Sequence, residues 1–67
     1  MRRFIYTNPD GTSYTVTRVS AKSCEVRVAY VYRRATATYV SAMIALPIED
    51  MAARVVVAGG TITAREA

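Results

Sequence analysis

The stretch from Pro47 to Thr63 constrains the fold most, because it encodes a helix, its stop and a strand in seventeen consecutive residues. Pro47 lacks only a donor that a first helical turn leaves unused, and Glu49 and Asp50 favour the positive end of the helix dipole. Ile48, Met51, Ala52, Val55 and Val56 recur at i, i+3, i+4, i+7 and i+8, which puts them on one apolar face. Gly59-Gly60 follows, and a glycine there adopts the left-handed backbone that closes a helix. Thr61-Ile62-Thr63 then reads as the start of a last strand over 61–65. Pro47, Gly59 and Gly60 are accordingly the expected structural positions of a helix spanning about 47–58.

Upstream the period changes from helical to two. Residues 2–7 alternate, with Phe4 and Tyr6 on one face and Ile5 on the other. Asn8-Pro9-Asp10-Gly11 supplies a turn, since Pro9 presets its backbone angle and Gly11 tolerates positive φ. Residues 12–19 resume a strand pattern, so the two runs should form a hairpin. After the polar break Ser20–Ser23, Cys24, Val26, Val28, Tyr30 and Tyr32 share one face, while Glu25, Arg27 and Arg33 share the other. That is the pattern of a half-buried antiparallel strand with a charged outer surface. Residues 36–46 admit a helix through their alanines. Thr36, Thr38, Tyr39, Val40 and Ile44 favour a strand instead, and Pro47 disfavours a helical Leu46. Val40, Ala42, Ile44 and Leu46 would then face one way, Tyr39 and Met43 the other. The expectation is one α+β domain over 1–67, a small antiparallel β-sheet of about five strands packed against a single helix. Val26, Val28, Tyr30, Met51, Val55 and Val56 form its expected shared core.

A chain of 67 residues buries a modest fraction of its surface, so a core this small needs support. The lone cysteine, Cys24, excludes an internal disulfide and lies in phase with the inward face, as a buried apolar side chain would. Without histidine, imidazole acid–base or metal chemistry is excluded, and one cysteine assembles no recognisable zinc set. Adjacent Glu49 and Asp50 point in different directions on a helix and do not make a catalytic pair. Glycines that follow a helix do not cradle phosphate at its N-terminus. The expected function is therefore non-enzymatic, with no cofactor and no metal.

The net charge is +4, and eight of the nine basic residues are arginine, whose planar fork suits carboxylates and phosphates. Arg2, Arg3, Arg27, Arg33 and Arg34 are the candidate partner-binding residues, Arg27 and Arg33 because strand phase turns them outward and leaves them free. An acidic protein assembly is the favoured partner. The strand tyrosines keep open a small nucleic-acid-binding module with stacking aromatics, and a phage-type inhibitor that occupies a partner's surface is a further alternative. No segment approaches the roughly 18 apolar residues of a membrane span, and the start turns polar too soon for a signal peptide. A cytoplasmic location is the default.

Met43-Ile44-Ala45-Leu46-Pro47, Ile48-Glu49-Asp50-Met51 and Gly59-Gly60-Thr61-Ile62, with the opening Met1-Arg2-Arg3-Phe4-Ile5-Tyr6-Thr7, resemble the small phycobilisome linker (CpcD-like) domain family. The resemblance implies a structural role in photosynthesis. Such linkers are basic and sit in the central opening of acidic phycobiliprotein trimers, capping or joining the discs at the cytoplasmic face of the thylakoid.

Overall fold

The computed structural model describes residues 1–30 and 41–67, the side chains of residues 29 and 30 excepted. Its elements run β1 (Arg3–Thr7), β2 (Ser13–Ser20), β3 (Ser23–Tyr30), β4 (Ser41–Ile44), α1 (Ile48–Val57) and β5 (Thr61–Glu66). They form a five-stranded sheet in the order β4-β3-β2-β1-β5, every neighbouring pair antiparallel, with one helix. The expected α+β fold is thus the observed one. Tyr32, Arg33, Arg34 and residues 36–40, with Tyr39 and Val40, lie outside the described residues, as does the side chain of Tyr30. Of the strand expected over 36–46, the described residues form β4 over Ser41–Ile44; it stops two residues early, with Ala45 and Leu46 bending into Pro47 and the helix.

Alternation sets the register. Phe4 lies opposite Val16, Val16 opposite Val26, and Val26 opposite Ala42, while Cys24 faces Ile44. Residues directly opposite across a ladder share a face, so this row makes one apolar surface across four strands. Phe4, Tyr6, Val16, Cys24 and Val26 are buried there, against Ile48, Ala52 and Val55 of the helix. Each large side chain among them contributes about 1.5–3 kcal/mol relative to exposure. Two hairpins hold the register. In the first, the Asn8 N–H donates to the Thr12 carbonyl and Gly11 takes φ +87°. In the second, Ser20 and Ser23 share a hydroxyl hydrogen bond of 2.7 Å.

The helix starts one residue later than expected. Pro47 is its N-cap, at ψ 144°, and its carbonyl accepts the N–H groups of Asp50 and Met51. Val56 is not in the core: it is 57% exposed. At about 100° per residue, Val56 stands about 80° past Ile48, beyond the narrow stripe formed by Ile48, Ala52 and Val55. Val57, half a turn from Ile48 by the same count, is 88% exposed.

Two different demands explain the two glycines. Gly59 takes φ +92°, a conformation that costs a side chain regardless of space. Gly60 is needed for proximity, since a Cβ there would lie 2.7 Å from Val55 Cγ1 and 3.1 Å from the Val55 carbonyl oxygen. The Gly60 N–H donates to that same carbonyl at 2.9 Å.

Val55→Asp is expected to destabilise the domain by more than about 3 kcal/mol through an unpaired buried charge, whereas Val56→Asp should stay within about 1 kcal/mol of wild type. Denaturant titration of the two variants checks this, and equal losses would mean that the helix is rotated. Gly59→Val and Gly60→Ala should each cost about 1–3 kcal/mol, for backbone strain and overpacking respectively. In a double-mutant cycle, Val55→Ala should couple favourably with Gly60→Ala, the pair costing less than the sum of the two, and show no such coupling with Gly59→Val.

Candidate partner-binding surface

Antiparallel pairing brings the start of β1, the end of β2, the β2–β3 turn and the end of β5 to one end of the sheet. Arg2, Arg3, Arg18, Lys22 and Arg65 gather there. The Arg18 N–H donates to the Arg2 carbonyl at 2.8 Å, and the Arg2 N–H donates to the Glu66 carbonyl at 2.9 Å. Arg2, one residue ahead of β1, thus bridges β2 and β5 through its backbone and stands at the level of Arg18, while Arg65 lies opposite Phe4. Like charges directly opposite across a ladder are destabilising by a few tenths to about 1 kcal/mol.

One carboxylate answers this cluster. Glu66 accepts from Arg2 Nη2 at 3.0 Å through Oε1 and pairs with Arg3 Nη1 at 3.3 Å through Oε2. All three side chains are substantially exposed, so these pairs contribute little stability and are weakened by salt. The Arg3 Nε is buried without a hydrogen-bond partner among the described residues. Arg18, Lys22 and Arg65 form no side-chain ion pair among the described residues. At the neighbouring helix start, the amino group of Met1 stands 3.9 Å from Glu49, so this carboxylate meets a charge as well as the dipole.

Arg27 belongs to a different place. Strand phase does turn it outward, but it is not free: its Nε donates to Glu25 Oε1 at 2.8 Å. Ser41 donates to the other oxygen of Glu25 at 3.1 Å. Arg27 and Glu25 thereby form a neutral unit in the middle of the sheet face away from the helix. Glu25 stands two residues from Arg27 on that face, and this spacing already carried the signal for the pair. Arg33 and Arg34 lie outside the described residues. The structure thus unites Arg2 and Arg3 with Arg18, Lys22 and Arg65, three cations too far apart in sequence for any local run to reveal.

Cys24 is fully buried, and burial pushes its thiol above the ordinary range, which disfavours the reactive thiolate. Among the described residues, no three His, Cys, Asp or Glu side chains stand together as a metal site, and no helix is long and apolar enough to cross a membrane. No family model, curated protein or solved structure matched the chain.

The opposed arginines lead to an unusual stability prediction. Arg18→Thr removes the like-charge pair and places a β-branched residue in a strand, so it should stabilise the fold by about 0.2–1 kcal/mol at low salt. The gain should shrink as salt screens the repulsion. Chemical denaturation at two ionic strengths checks this, and a loss of stability at both would show that Arg18 has a structural partner.

Proposed function

We propose that this chain is a non-enzymatic protein-binding domain that seats its arginine-rich end against an acidic protein surface. The observation that supports the reading is the backbone bond that sets Arg18 at the level of Arg2, with Arg65 and Lys22 at the same end of the sheet, while Glu66 is already shared by Arg2 and Arg3. Such a cluster is destabilising in the free domain and is relieved when carboxylates arrive from outside. Guanidinium groups favour that partner because they meet carboxylates in a bidentate fork. Val19, exposed on the same end of β2, adds apolar contact area beside the charges.

In its finer form the proposal is the structural role that the resemblance implies: a phycobilisome linker whose acidic partner is a phycobiliprotein disc. A nucleic-acid-binding module and an inhibitor that covers another protein's surface are the competing roles for the same end, and they differ in partner.

Mixing the domain with purified phycobiliprotein trimers is expected to give a stoichiometric complex, measured by sedimentation. The double variant Arg2→Glu, Arg18→Glu should remain folded and bind at least tenfold more weakly, since cutting an interfacial charge pair costs about 2–5 kcal/mol. Unchanged binding by that variant would remove this end from the interaction. Failure of trimers to bind while another acidic protein does would discard only the finer form. Preferential binding of a single-stranded oligonucleotide, with affinity falling steeply and linearly in log salt, would instead identify a nucleic-acid module.

A further inference from the structure

Among the described residues, the helix does not reach across the whole apolar sheet face. α1 packs against β5, β1, β2 and β3 but not against β4. Along the flank of the helix this opens a groove of about 380 Å³ lined by Ile44, Leu46, Met51, Val55 and Ala58, with Tyr6, Asn8 and Arg54 as its polar groups. The volume falls at the small end of the range of about 300–1,000 Å³ occupied by small-molecule sites.

Charge decides what fits there. Among the described residues, Arg54 is the only ionisable lining group that is charged at neutral pH, and no carboxylate lines the groove beside it. Arg54 also forms no ion pair among the described residues. Burial holds the Tyr6 hydroxyl in its neutral form, with neighbouring Tyr14 adding to the effect, so it remains a hydrogen-bond donor well into the alkaline range. Asn8 adds amide donors and an acceptor. An apolar floor, one unpaired guanidinium and two neutral polar groups are complementary to a molecule with an apolar body and a single anionic head.

We infer that the groove between α1 and β4 is a binding site for a small monocarboxylate with an aliphatic or aromatic body, its carboxylate on Arg54 and its body on Ile44, Leu46, Met51 and Val55. The site is separate from the arginine-rich end and shares no residue with it, so either can fail without the other.

Decanoate, kept below its micellar concentration, is the probe, followed through side-chain methyl NMR signals. Saturable shifts are expected at Ile44, Leu46, Met51 and Val55. Arg54→Gln, a change on the exposed side of the helix, should weaken binding roughly tenfold or more, as loss of a charge-assisted hydrogen bond does. Decanol, with the same chain and no charge, should bind wild type about as weakly as decanoate binds the variant. Shifts centred elsewhere, no saturation, or equal decanoate affinity in Arg54→Gln and wild type would each overturn the assignment. Concentration-dependent shifts of the same methyls without decanoate would also overturn it, because they would make a second copy of the chain the occupant.

Discussion

The contact between Val55 and Gly60 is the constraint on which the rest of the structure depends. At 2.7 Å from Val55 Cγ1, the position of a Cβ on residue 60 is closed to any side chain, and Val55 is itself buried in the core. The same turn is held by the Gly60 N–H on the Val55 carbonyl. Because the helix ends this tightly, β5 begins immediately and runs back along β1, with Thr61 paired to Thr7 and Glu66 to Arg3. A looser exit would shift β5 along β1. Arg65 and Glu66 would then no longer reach the end where Arg2 and Arg18 meet. The chemistry of the candidate surface is therefore set from the far end of β5, by a glycine that belongs to none of it.

How far the sequence reveals this fold follows from the range of the forces involved. Period-two alternation and the i, i+3, i+4 stripe are local, so β1, β2, β3, the helix and its glycine stop are readable from neighbouring residues. Val56 misleads because its i+8 spacing from Ile48 still leaves it about 80° round the helix, at the edge of the apolar stripe. Only the orientation of the helix on the sheet decides that Val55 is inward and Val56 is not, and that orientation is tertiary. The charges divide in the same way. Arg2-Arg3 is visible as a pair, and the Glu25–Arg27 bridge could have been read from phase. The meeting of Arg2, Arg18 and Arg65 arises from strand register over sequence separations that no local pattern records.

The core and the charged end make opposite demands on a small chain. Domains of this size hold only about 0.05–0.15 kcal/mol of net stability per residue, so a repulsion of several tenths of a kcal/mol between Arg2 and Arg18 is an appreciable fraction of the total. A Thr at residue 18 would satisfy the strand without that cost. Arg18 shares the phase of buried Val16 yet is itself exposed, where β2 runs out at the sheet end.

The neutral Glu25–Arg27 unit sharpens that contrast. Both sites are exposed and both involve arginine on a strand, so solvent alone cannot explain why one carries its own carboxylate and the other has one carboxylate for several cations. If arginine served only solubility, charges would be expected to pair wherever the register allowed, as they do on β3. Just beyond the paired register of β1 and β2, Arg2 and Arg18 are joined backbone to backbone, cation beside cation. The repulsion is also placed where the fold can bear it, at strand ends beyond the buried row of Phe4, Val16 and Val26, so relieving it from outside need not disturb the core. An arrangement with strain confined to the rim and satisfaction supplied by an incoming surface is one in which binding and folding are separable. That separability is what allows charge substitutions at this end to report on a partner, their effect on the stability of the domain being small and measurable by itself.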